Sequence, residues 1–235
     1  MGKSQSQDAD NNKSSAGGNV PSEDSMSMMS LENQFLIAMP TLGDPYFNKT
    51  VTYICEHNDE GAMGLIINLP VNLTLLDLLK QVDMEEGGSV LKDGSSEKTA
   101  SADPIVIELT DINNSLEQPV LAGGPIAKQR GFVLHNSQAG WSSSLALSNE
   151  IMVTTSKDIL SALGNENGPD KALITLGYAG WTAGQLEEEI QHNSLLTIEA
   201  DLELLFDVPI HKKWEAAVQK LGVDVWQLGP DIGHA

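Results

Sequence analysis

The sequence predicts an α+β fold, and three observations lead there. Helix and strand signals follow one another irregularly, without the βαβ rhythm of a doubly wound sheet. Several β-branched runs come in pairs joined by short polar turns, the pattern of hairpins. A chain of 235 residues with 40% hydrophobic content is also large enough to bury a sizeable core.

Residues 1–29 are rich in Ser, Asn, Gln, Asp and Gly and poor in large apolar side chains. They cannot bury enough surface to offset the entropy of ordering, so a disordered polar tail is expected ahead of one folded domain at 30–235. Phe35–Met39 is a short apolar run closed by Pro40, read as a buried strand, and the turn-rich Thr41–Asn48 follows. Thr50–Glu56 is β-branched with period-two character, Asn58–Gly61 reads as a turn, and Met63–Asn68 completes a hairpin. Thr74–Val82 predicts a helix with Thr74 as N-cap, Asp77 in the first turn and a leucine face.

Residues 83–118 break this rhythm with a flexible acidic excursion that holds one strand-like run, Pro104–Leu109. Gln118–Ala122 leads into the turn Gly123-Gly124-Pro125, and Gly131–His135 reads as the next strand. Ile151–Thr155 is a strand followed by a helix over Ser156–Leu163, with Ser156 as N-cap and Gly164 as its stop. Ala172–Tyr178 is a buried strand, and Ala179–Gly184 a loop that delivers the chain to a helix at Gln185–His192. A strand at Leu195–Ile198, a short helix at about 202–206 and a helix at His211–Leu221 finish the chain.

Charge narrows the function. There are 13 Lys+Arg against 33 Asp+Glu, a net charge of -20. Nucleic-acid affinity comes largely from cations that displace condensed counterions, so direct nucleic-acid binding is not expected. Cys55 is the lone cysteine, which rules out an intrachain disulfide and favours a reducing, cytoplasmic setting. No run approaches the ~18 apolar residues of a membrane span. The opening Met-Gly-Lys-Ser-Gln-Ser matches the short N-myristoylation pattern, which a polar leader produces readily.

The chain carries no GxSxG elbow, P-loop, GxGxxG, HExxH or CxxC. Strand alternation would put Cys55 and His57 on one face. With His135 they form the leading alternative to a binding role, a hydrolase or transferase using Cys55, His57 or His135 in a cleft. No set of histidines has metal-ligand spacing, and no metal or cofactor is expected.

Arg130, the lone arginine, either holds a carboxylate or phosphate by paired hydrogen bonds or pins its loop to an acidic partner within the protein. Gly123 and Gly124 either form an anion-binding nest of amides or a turn needing unusual backbone angles. Asp44, Asn68, Trp181 and Gln185 sit at turns or element edges, where segments can converge. With Gly123, Gly124 and Arg130 they form the candidate cleft for a small anionic ligand. A protein partner is the other expected mode of action.

Taken in order, several segments resemble the YqgE/AlgH family. They are Phe35–Pro40, Asp44 with Phe47 and Thr50-Val51, Tyr53–His57 and Gly61–Asn68. Val120–Pro125, Arg130–His135, Gly177–Glu187, the Trp214 helix and the closing Gly233–Ala235 continue the match. The likeness covers about 31–235. It implies a mixed, branched β-sheet curled into a flattened pseudo-barrel with flanking helices. It also implies a name taken from a proposed transcriptional regulator of alginate synthesis, and no catalytic residues to carry over. Two departures stand out: the excursion at 83–118 is longer than the family's usual connection, and Leu195 or Leu196 stands where tryptophan is common.

Overall fold

Ten strands and three α-helices carry the fold among the described residues, which are 30–40, 44, 46–86, 116–163 and 167–222 of the computed structural model. The polar tail, Pro104–Leu109, the Gly164 stop and the closing Gly233–Ala235 lie outside them. The strands are β1 (Gln34–Ala38), β2 (Val51–Asn58), β3 (Gly61–Ile66), β4 (Pro70–Thr74) and β5 (Pro119–Ala122), followed by β6 (Ile126–Asn136), β7 (Ser144–Ala146), β8 (Ile151–Thr154), β9 (Ala172–Thr182) and β10 (Leu195–Glu199). The helices are α1 (Leu75–Glu86), α2 (Gln185–Gln191) and α3 (Lys213–Lys220).

One path through the sheet runs β10-β1-β2-β3-β9-β6-β8-β7, and β5, paired with β4, branches from β9. All pairings are antiparallel except β5 with β9, so the sheet is mixed as well as branched. Phe35 on β1 and Ile151 on β8 stand near opposite ends of this order, yet share one apolar cluster with Tyr53, Leu65 and Leu134. The sheet therefore curls around that cluster as a half-barrel, the α+β architecture expected. Leu204, Leu205, Trp214, Ala217 and Val218 fill the same cluster from the C-terminal segment. Trp214 Nε1 donates to the Ala38 carbonyl at 2.9 Å, which fixes α3 to the end of β1. Outside the curl, Leu36, Ala38 and Ile54 pack with Leu186 of α2, and Leu75 of α1 packs with Val120, Val133 and Ile174.

Local chemistry explains the element ends. Thr74 and Asp77 cap α1 reciprocally: the Thr74 amide donates to Asp77 Oδ2 at 3.1 Å and the Asp77 amide to Thr74 Oγ1 at 3.2 Å. The helix runs on to Glu86, four residues into the segment read as excursion. The helix expected from Ser156 is a single 3-10 turn, Lys157–Ile159. There the Asp158 carboxylate accepts from the Ser142 and Ile159 amides and the Ser156 hydroxyl, offering the backbone a turn in place of a helix. β9 continues through Ala179–Thr182, read from sequence as a loop, because β3 pairs with that half of it.

The branch lies at the glycines. β3 and β5 share one side of β9, meeting it at Gly64↔Ala179 and Ala122↔Leu176. Between them a Cβ on Gly124 would stand 1.9 Å from the Tyr178 carbonyl carbon, and one on Gly123 would stand 2.3 Å from the Gly177 oxygen. Gly177 itself takes φ +73°. Main chain crosses main chain here with no room for a side chain.

Candidate functional site

Most of the seven residues of the expected cleft are engaged by other groups of the protein. Asp44 makes an Asx turn, accepting the Tyr46 amide at 2.8 Å. Asn68 accepts the Val51 amide at 2.8 Å and donates to the Lys49 carbonyl at 2.9 Å, tying the end of β3 to the start of β2. Trp181 and Gln185 do meet, through Glu189: Trp181 Nε1 donates to one carboxylate oxygen at 3.1 Å and Gln185 Nε2 to the other at 3.0 Å. Gln185 Oε1 also accepts the Thr182 amide at 3.1 Å, which closes the entry to α2. Each of these four side chains satisfies protein groups.

Gly123 and Gly124 form the branch point rather than an anion nest. The Gly123 amide donates to the Leu176 carbonyl at 2.8 Å, and its own carbonyl accepts the Ile66 amide at 2.9 Å. Arg130 has no acidic partner among the described residues. Its guanidinium lies 5.3 Å from the centre of the Phe132 ring on an exposed part of β6.

The alternative trio separates. The β2–β3 register slips between Ile54 and Glu56, a β-bulge that leaves Cys55 as the extra residue. Alternation is therefore broken, and Cys55 faces the half-barrel interior while His57, opposite Ala62, faces α2. Burial raises the Cys55 thiol, the opposite of an activated nucleophile. His57 Nδ1 accepts the Leu31 amide at 2.9 Å, so Nε2 carries the proton and donates it to Glu187 at 2.6 Å.

His135 is fully buried and distant in chain and in strand order from both. Its Nδ1 donates to the Asn136 carbonyl at 2.8 Å, so Nε2 accepts the Thr154 hydroxyl at 2.9 Å. Thr154 in turn receives the Ser144 hydroxyl at 2.7 Å. Burial pushes the imidazole below its ordinary range and outweighs the Asn136 carbonyl, which pulls the other way. All three groups read as satisfied protein interior.

A cavity opens next to the expected cleft. β6 pairs with β9 at Ile126↔Tyr178 and again at Gly131↔Leu176, so β6 carries extra residues between these points and bulges outward. Ala127 takes φ +48° in this bulge, and Lys128, Gln129 and Arg130 project from it. Under the bulge, between α1, β6, β9 and the turn after β8, lies a basin of 370 Å³. Its floor is apolar, with Leu78 and Val82 from α1 and Leu160, Ile174 and Leu176 opposite. Its rim is Gln81, Lys128, Gln129, Thr155, Ser156 and Lys157.

Among the described residues no Asp or Glu lines this basin, although acids outnumber bases in the chain by 33 to 13. Lys128 makes no ion pair among the described residues. A Cβ on Gly131 would point into open space, and alternation with Phe132 and Val133 sends it toward the basin. An apolar floor with a few convergent polar groups, in the ~300–1,000 Å³ range, is the general form of a small-molecule site. Lys128 lies inside the very stretch that sequence reading singled out for Arg130. The register slip that lifts it over a cavity has no sequence signal.

Among the described residues no helix is long and apolar enough to cross a membrane, and no cluster of His, Cys, Asp and Glu could hold a metal. A family model described as AlgH-like matches residues 35–226. A UPF0301 protein of Colwellia psychrerythraea is 63% identical over 210 residues, covering 88% of this chain and all of that one. A UPF0301 protein of Vibrio cholerae is 48% identical, again over 88% of this chain and the whole relative. The solution structure of the AlgH protein from Pseudomonas aeruginosa superimposes with a TM-score of 0.64 at 40% identity, covering 90% of this chain and 99% of that one. A crystal structure of a Corynebacterium diphtheriae protein shares the fold, with a TM-score of 0.56 at 15% identity.

Proposed function

The chain belongs to the AlgH-like family, and we propose that it is a cytoplasmic, non-enzymatic binding protein whose ligand is a small amphipathic anion. The supporting observation is the basin under the β6 bulge, with an apolar floor, Lys128 at the rim and no carboxylate among the described residues of its walls. The apolar part of the ligand would displace water from Leu78, Val82, Leu160 and Leu176, at about 25 cal/mol per Å² buried. Lys128 would supply a charge-assisted hydrogen bond to a carboxylate or phosphate head, with Thr155 beside it. Occupancy would bear on α1, which forms one wall, and a regulatory role would work through that helix.

Octanoate and octanol are suitable probes, equal in tail and different in head charge. Octanoate is expected to bind at least tenfold more tightly by calorimetry, with NMR shifts centred on Lys128–Val133 and Leu160. Gly131→Leu fills the basin from a position with open space and should abolish uptake while the chain stays folded. No binding of octanoate, or binding indifferent to Gly131→Leu, would remove this reading.

A further inference from the structure

A second opening lies on the other face of β6, at the mouth of the half-barrel. Met63, Phe132, Leu145 and Val153 form its apolar wall, Arg130 and Glu56 stand at its rim, and its volume is 260 Å³. It is bordered by β7, the terminal strand of the sheet. The Thr155 amide bonds to the Ser143 carbonyl at 3.0 Å and the Leu147 amide to the Ile151 carbonyl at 2.9 Å. In an antiparallel pair, residues bonded to the partner alternate with residues that are not. Ser144 and Ala146 therefore turn their main-chain N–H and C=O groups outward, away from β8.

Folded proteins usually guard such an edge with charge, proline, a bulge or a covering element. Ser142–Ser148 contains no charged residue and no proline. Leu145 is 60% exposed and Ile126 41%, the two exposed large apolar side chains among the described residues. Arg130 stands at the same mouth, with no carboxylate paired to it among the described residues.

We propose that β7 and this mouth receive an extended peptide segment of a partner protein, alternating apolar and acidic residues. The segment adds a strand by pairing with Ser144 and Ala146, covers Leu145 with its apolar side chains, and presents a carboxylate to Arg130. A second copy of this chain fits poorly. Its own edge segment, Ser142–Ser148, offers Arg130 no carboxylate. The proposal does not depend on the basin, because different side chains carry it.

Fluorescence anisotropy with a fluorescein-labelled Glu-Val-Glu-Val-Glu-Val peptide tests it, with Lys-Val-Lys-Val-Lys-Val as control. Saturable binding of the acidic peptide alone is expected. Ala146→Pro removes one outward N–H at an edge, where proline is tolerated, and Arg130→Gln removes the cation. Each should weaken binding about tenfold or more, with circular dichroism and the thermal midpoint unchanged. Three results would overturn the proposal: no saturable binding, equal binding of the lysine peptide, or indifference to both substitutions. Dimerisation in sedimentation that Ala146→Pro abolishes would also overturn it, by making a second copy the occupant.

Discussion

The two halves of the segment Ala122–His135 do opposite work. Its first half, Gly123-Gly124, is buried where β3 and β5 part on β9, and the Gly123 amide and carbonyl are both bonded to backbone. Its second half, Ala127–Arg130, is looped out of register and exposed, with side chains that reach two separate openings. The branch has no side-chain freedom left to give a ligand. The bulge has backbone pairing missing and side chains to spare. A glycine turn and a lone arginine a few residues apart thus belong to different problems, topology in one case and recognition in the other.

The sharpest way to break this comparison is to put a methyl group on the branch and another on Gly131, where the bulge ends. Gly124→Ala sets a Cβ 1.9 Å from the Tyr178 carbonyl carbon, and neither strand can retreat without opening the sheet. A loss of about 3 kcal/mol or more is expected in urea unfolding, at the upper end of overpacking effects. Gly131→Ala, with nothing within 4 Å of its new Cβ, should stay within about 0.5 kcal/mol of the parent. Similar losses at the two positions would mean that the branch is not where the fold is most tightly specified.

Much of the fold was legible in the sequence. The hairpin of β2 and β3, the cap on α1, strands β1, β8 and β10, and α2 announce themselves through alternation, turn residues and caps. What escaped depends on partners distant in sequence. β7 has only three residues of weak strand character and exists because β8 pairs with it. Ala179–Thr182 looks like a glycine-rich loop until β3 lies alongside it. The site was half legible. Composition and the single arginine pointed at the segment that also holds Lys128, but a register slip is a property of two strands, so neither the Cys55 bulge nor the basin under Lys128 could be read from one. The same blindness placed Cys55 and His57 on one face, where a single extra residue puts them on two.

A second comparison sets His135, the buried partner of Thr154 in the basin wall, against the basin's rim. His135 is lowered in the folded protein by burial, and its neighbours Thr154, Asn136 and Trp141 are uncharged. The unfolded chain binds a proton at His135 near pH 6.5, whereas the folded chain does not until a lower pH. His135 therefore contributes no pH dependence well above 6.5, and stability falls as pH drops through and below that value. The slope from this one residue can reach at most about 1.4 kcal/mol per pH unit. Urea titrations at pH 7.5, 6.5 and 5.5 on the parent and on His135→Gln should show a steeper acid loss in the parent. Parallel curves would mean that the imidazole is protonated in place and that the Thr154 hydroxyl does not depend on it.

The smallest effect on stability is expected at the rim, and there it is the most informative. Lys128 is exposed and makes no ion pair among the described residues. Lys128→Gln should therefore change the unfolding free energy by less than about 0.5 kcal/mol. Its effect on ligand should be selective. Octanoate loses a charge-assisted hydrogen bond and binds about tenfold more weakly, roughly 1.4 kcal/mol, while octanol, which never used the charge, binds as before. The contrast should shrink as salt rises from 0.01 to 0.15 M, because the Debye length falls from about 30 to 8 Å and an exposed lysine is readily screened. An equal loss for both probes would say that Lys128 shapes the bulge rather than the ligand's charge, and the division between a structural branch and a recognising bulge would have to be redrawn within the bulge itself.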